Sequence, residues 1–235
     1  MRGIVRFVDD TLLSPVERNH TESDHQFRRR RLVVVVTLAV GATLLWLSLS
    51  TTPGNPDFYA LTFALAAVWV VGALLSGSLH LGWMRWRGEL RRPVVQPVVV
   101  GLAAVAVFTA GALLVAQVPF LRQSVDEVLD HARYGSLPVI TVITLVNGIA
   151  EEMFFRGGLY AGIGRRHPVL VSTVVYTLTT VATGNVMLVF SAAVLGVLVG
   201  LQRRVSGGVL APILTHVTWS TGMLFILPPL MEALA

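Results

Sequence analysis

Seven apolar runs dominate this chain, each long enough to cross or nearly cross a hydrocarbon layer of about 30 Å. They fall at approximately 32–49, 58–77, 94–115, 137–155, 169–181, 186–201 and 209–227. Backbone N–H and C=O groups find no water inside a bilayer, so segments of this kind have to satisfy their hydrogen bonds internally, as helices. Charge supports the same conclusion: only 13% of the 235 residues are charged, where a soluble domain carries about a quarter. The expected fold is all-α, a polytopic transmembrane helix bundle of about seven spans. The fifth and sixth runs are short and divided only by ATGN, so they read either as one kinked hairpin or as two helices shielded by their neighbours.

Arginine sorts the connecting segments into two sides. With the N-terminus cytoplasmic, the inner segments hold Arg28 to Arg31, Arg85, Arg87, Arg91, Arg92, Arg165, Arg166, Arg203 and Arg204, and the tail adds Arg2, Arg6 and Arg18; the outer loops hold only Arg122 and Arg133. This is the positive-inside pattern, and it fits a multi-pass protein of a bacterial plasma (inner) membrane. The net charge of +5 is thus a matter of membrane sidedness, and the expected partners are the lipid bilayer and a peptide or membrane protein, with no nucleic acid. The expected organisation is a cytoplasmic tail over 1–31, N-terminal transmembrane helices and an outer loop over 32–136, and a core over 137–235. The start of the tail carries no secretory cleavage pattern and reads as poorly ordered or lying on the membrane surface. In the outer loop FLRQSVDEVLDHARYGS, Leu121, Val125, Val128 and Leu129 recur at helical spacing, the mark of an amphipathic helix. Cysteine and lysine are both absent, which excludes disulfides, thiolate metal sites, cysteine nucleophiles and Schiff-base chemistry.

Against this background VNGIAEEMFFRGG is anomalous, because it puts Glu151, Glu152 and Arg156 into the fourth span. A charge within a span costs at least about 2.5 kcal/mol, so the carboxylates need a compensating cause. Glu152 and Arg156 stand four apart and pair in the favourable order. Glu151 points about 100° away, with Asn147 one turn below it, and as a carboxylate without an adjacent cation it suits a general base. Counting 1.5 Å per residue from the Arg-rich end puts Glu151 roughly 9 Å deep, His216 of the last span roughly 10 Å and Thr180 roughly 16 Å. An acid and a histidine at one depth, open to one side, make a candidate catalytic or ligand cleft.

EEMFFR resembles the EExxxR motif of the CAAX-protease and bacteriocin-processing (CPBP, or Abi) family of intramembrane peptidases, and GGVLAPILTHVTWS resembles that family's third motif. The likeness covers approximately 137–225. It implies that Glu151 activates a water for attack on a peptide carbonyl, that Glu152 and Arg156 organise the site, and that His216 stabilises the oxyanion. Two positions depart from the pattern. The second motif, FxxxH, falls on Tyr176 to Thr180, with threonine in place of histidine, and Ser220 stands where the family has Asn or Asp. Family members are described both as metalloproteases and as glutamate peptidases. With no HExxH pair and no clear three-ligand set, the chain reads as metal-free, a divalent metal such as zinc remaining the alternative.

Two functions follow. One is an intramembrane endopeptidase cleaving a peptide or membrane-anchored substrate from the cytoplasmic side. The other is a catalytically impaired relative acting as a membrane scaffold or partner-binding subunit, motivated by Thr180 and Ser220. A small transporter fits less well, because no pair of Gly/Pro-broken spans recurs in symmetric halves. Arg28 to Arg31 read as a topological anchor, Gly196 and Gly200 as helix packing, Asn185 as a turn residue, and His20 and His80 have no assigned role.

Overall fold

The computed structural model describes residues 2–234; Met1 and Ala235, the ends of the expected first and last segments, lie outside the described residues. The architecture is a helix bundle in which six helices are long and apolar enough to cross a membrane. In chain order these are α2 (Asp24–Leu49), α3 (Pro56–Ser76), α4 (Val95–Val115), the continuous helical span Leu137–Ile163, α9 (Val186–Ser206) and α10 (Leu210–Ala233). The fifth apolar run forms a separate helix, α8 (Pro168–Val181), of 14 residues. At about 1.5 Å per residue it is shorter than the hydrocarbon layer, so the seven apolar runs form six long helices and one short one. The segment FLRQSVDEVLDHARYGS is helical as its spacing predicts: α5 (Pro119–Arg133) buries Ser124, Val125 and Leu129.

The N-terminal segment is ordered against the bundle. α1 (Arg2–Val8) runs into a π-helical turn, Asp9–Leu13, whose Thr11 is buried, and Val16 N–H donates to the Val205 carbonyl at 3.0 Å. Helix α2 begins at Asp24, where Ser23 and Gln26 form a capping box, so the RRRR run occupies its first turns. Arg30 is not a headgroup anchor. It is 1% exposed and is held by Glu22, by the Ser76 hydroxyl at 3.1 Å and by the Ser78 carbonyl.

Exposed large apolar side chains such as Leu32, Val107, Leu114 and Phe190 cover the outside of the bundle, the pattern of helices facing lipid. Inside, small residues let the backbones approach. A Cβ on Gly41 would meet the Trp69 ring at 2.1 Å and one on Gly72 would meet Thr37 Cγ2 at 2.2 Å, fixing α2 against α3. Gly196 and Gly200 face Thr173 and Val169 of α8, the close packing their spacing predicts. Trp69 is buried and stacks on Phe154 at 4.6 Å, centring the core on the segment that carries the glutamates.

Between α3 and α4 the chain forms a short antiparallel hairpin, β1 (Met84–Trp86) with β2 (Glu89–Arg91), in register Met84↔Arg91. Its turn residues Arg87 and Gly88 both have positive φ, as a two-residue type I′ turn requires. The preceding loop docks on the α9–α10 turn through Val209 N–H to the His80 carbonyl at 2.8 Å and Trp83 N–H to the Ser206 carbonyl at 2.9 Å. A Cβ on Gly208 would lie 2.1 Å from the Leu81 carbonyl carbon. The SGG stretch of the third motif therefore serves a backbone-to-backbone contact.

Candidate active site

The span that carries the glutamates changes helical type at them. Helix α6 (Leu137–Glu151) passes into a π-helical segment, Glu152–Leu159, followed by the single turn α7 (Tyr160–Ile163). Wider π turns of this kind gather at functional sites, because they re-aim side chains within an otherwise regular helix. Here the segment buries Glu152 and Arg156 completely, both at 0% exposure.

Glu152 Oε1 accepts from Arg156 Nη1 at 3.0 Å and from His216 Nδ1 at 2.8 Å. The pair expected from the i, i+4 spacing is present, and His216 joins it. Since a carboxylate accepts, His216 Nδ1 carries a proton and Nε2 is the ring nitrogen left for the cavity that His216 lines. Arg156 lies over the Tyr176 ring at 4.5 Å, and its backbone carbonyl accepts from Arg203 Nε at 2.5 Å. Burying an ion pair is tolerable only with such supporting contacts.

Glu151 is partnered differently. Tyr176 Oη donates to Glu151 Oε2 at 2.7 Å. Both line a cavity of about 300 Å³ together with Thr180, His216 and Trp219. The acid and the histidine that the depth count brings to one level thus share one cavity, although the histidine's hydrogen bond goes to Glu152. Thr180 also faces the cavity, but its hydroxyl donates to the Tyr176 carbonyl at 3.0 Å. It does not replace the proton-accepting nitrogen of a histidine.

Two expected supporting residues lie elsewhere. Asn147 Nδ2 donates to the Ile143 carbonyl at 3.0 Å and to the Thr62 carbonyl at 3.4 Å, so it serves the contact with α3. Ser220 bonds its own helix at Val217 and abuts Gly148. The bond from Tyr176 to Glu151 has no counterpart in the sequence reading. Its signal was the hydroxyl on an aromatic where the second motif has phenylalanine.

The cavity runs the opposite way from expectation. From Glu151 it extends past Thr144 and Thr183 to Leu49 and to Val128 of α5, away from the Arg-rich end. On the Arg-rich side lie the buried side chains of Glu152, Arg156 and Arg203, none of which lines it.

The position of helix α10 explains how His216 arrives there. Thr215 Oγ1 donates to the Pro97 carbonyl at 2.9 Å, and Gly101 of α4 makes room for the Thr215 carbonyl and the Thr218 side chain. Gly148 faces His216 and Val217. Small residues on both neighbouring helices thus set the depth and rotation of the histidine.

A divalent metal is a poor match for this donor set. Among the described residues no group of three or more His, Asp or Glu side chains converges as a metal site. Glu151 and His216 each keep one free ligating atom, Oε1 and Nε2, but the third position is Thr180, whose hydroxyl is bonded to its own helix. A catalytic zinc takes three protein ligands, which these residues do not provide, and no step below passes through a metal.

Residues 133–222 match the family model described as Type II CAAX prenyl endopeptidase Rce1-like. No curated protein and no solved structure matches the chain. The matched segment contains the Glu152–Arg156–His216 cluster, the Tyr176–Glu151 bond and Thr180. Residues 133–222 are thus similar to the Rce1-like CAAX endopeptidase family, the resemblance that EEMFFR and GGVLAPILTHVTWS carry.

Proposed function

We propose that this protein is an intramembrane endopeptidase whose base is Glu151, acting on a peptide or membrane-anchored substrate in a bacterial plasma membrane. The observation that carries this reading is a cavity inside a helix bundle that presents a tyrosine-held carboxylate and a carboxylate-held histidine to the same space. Tyr176 fixes one oxygen of Glu151 and leaves the other to take a proton from water. The hydroxide equivalent attacks the scissile carbonyl, and charge develops on its oxygen. His216, oriented by Glu152 and donating from Nε2 when protonated, stabilises that oxyanion; preorganised donors of this kind contribute about 3 kcal/mol each. Proton transfer from Glu151 to the departing amine completes the step. With the N-terminus cytoplasmic, the course of the cavity favours entry from the α5 side over the cytoplasmic entry that the sequence suggests.

One observation favours the scaffold reading. The Thr180 hydroxyl is spent on its own helix, so Glu151 works without the second-motif histidine. Incubating the protein, reconstituted in liposomes, with the host's membrane-peptide fraction separates the two. New peptide termini by mass spectrometry are expected. Their absence, with a stoichiometric membrane partner recovered from the same host, overturns the peptidase reading.

A further inference from the structure

A second cavity, of about 800 Å³, lies at the Arg-rich end and shares no lining residue with the one at Glu151. It is bounded by the docked N-terminal segment and by the ends of α2, α3, α7 and α9. Five guanidinium groups line it, those of Arg18, Arg29, Arg30, Arg165 and Arg203, against the carboxylates of Glu22 and Asp24. Glu22 is consumed by Arg30, and Asp24 sits in the first turn of α2. Arg203 is 6% exposed. It donates from Nε to the Arg156 carbonyl and lies 5.0 Å from the Tyr160 ring centroid. Among the described residues, no carboxylate lies within ion-pair distance of Arg18, Arg165 or Arg203.

Two histidines on the cavity feel its burial first and its positive charge second. His20 and His80 stack face to face with centroids 3.7 Å apart. Lost hydration, then the charges of His80, Arg203 and Arg18, hold His20 down to about 4. His80 is lowered as well, by lost hydration and then by Arg203 and Arg30. A buried guanidinium without a counter-ion is costly, and a planar fork of N–H donors matches the oxygens of a phosphate. The cavity is larger than a lone phosphate needs, and it stands where the spanning helices end, at the depth of lipid headgroups.

We propose that this cavity is a phosphate-binding site, taking the headgroup of an anionic phospholipid or free phosphate on Arg18, Arg165 and Arg203. The test is thermal unfolding of the full chain in neutral detergent, titrated with inorganic phosphate, phosphatidylglycerol or phosphatidylcholine, with chloride matching the ionic strength. Wild type should gain melting temperature with phosphate or phosphatidylglycerol and not with phosphatidylcholine or chloride. Response to inorganic phosphate assigns a free-anion site, and response to phosphatidylglycerol alone assigns a headgroup site. The double variant R18A/R165A, at two exposed positions, should need at least about tenfold more ligand for the same shift. Arg203→Gln, which keeps an N–H for the Arg156 carbonyl and removes the charge, should lose the response without losing melting temperature in the absence of ligand. No shift from either phosphate source in wild type, or the same titration in wild type and R18A/R165A, overturns the proposal.

Discussion

Glu152 and Glu151 are neighbours in the chain with opposite physical situations. Glu152 holds Arg156 and His216 together at 0% exposure, so removing it leaves a guanidinium uncompensated in the protein interior. Glu152→Ala should therefore destabilise the fold by roughly 3–5 kcal/mol, read as a fall in melting temperature in detergent. Glu151 has a single neutral donor, the Tyr176 hydroxyl. The Tyr176 ring is packed against Phe155 and Arg156, so Tyr176→Phe keeps the packing and removes the donor. A hydrogen bond to a charged group is worth about 1.5–3 kcal/mol. Peptide cleavage by that variant should slow by about ten- to a hundredfold in kcat with KM little changed, and any fall in melting temperature should not exceed what that one bond contributes. An unchanged kcat would remove Tyr176 from the site. Much of this residue-level picture was legible beforehand: the spacing of Glu152 and Arg156 dictates their pairing, and equal depth brings His216 to the glutamates. Which glutamate the histidine bonds depends on helix rotation, and the π-helical segment that sets it has no marker in the sequence.

Among elements, the decisive contact is α10 against α4 and α6. A Cβ on Gly101 would lie 2.7 Å from Thr218 Cβ and 2.9 Å from the Thr215 carbonyl oxygen, on either side of His216. Gly101→Ala should push α10 outward, lower stability by about 1–3 kcal/mol as overpacking does, and reduce cleavage by loosening the His216–Glu152 bond. A normal melting temperature with full activity would show that α10 accommodates the methyl. The apolar runs made the long helices legible, and the Gly196/Gly200 spacing made the α8–α9 contact legible. The docking of the N-terminal segment was not, because it rests on scattered contacts: a backbone hydrogen bond at Val16, Arg18 on the Arg204 carbonyl, the Glu22–Arg30 pair and a few buried side chains. Arg30 was misleading for a related reason: a run of arginines before an apolar stretch reads as an anchor, and only the fold brings Glu22, Ser76 and Ser78 around the third of them.

For the whole molecule, the arginine asymmetry and the course of the cavity bear on one question, which side of the membrane the substrate comes from. The absence of cysteine makes the chain a clean background for single-cysteine mapping. With the N-terminus cytoplasmic, S136C before α6 should react with a membrane-impermeant maleimide on intact cells, and R166C before α8 should react only after lysis. The reverse pattern would invert the bundle and turn the α5 end of the cavity toward the cytoplasm.

In the proposed mechanism everything turns on Glu151 activating the water. Wild type and Glu151→Gln, reconstituted at equal density and matched in melting temperature, should be compared for the release of new peptide termini from the same membrane-peptide fraction. Glutamine keeps the size and can still accept from Tyr176, but it cannot take the proton. A general base contributes about 10²–10⁴ in rate, so the variant should lose at least about a hundredfold. Equal release by both proteins would exclude Glu151 as the base.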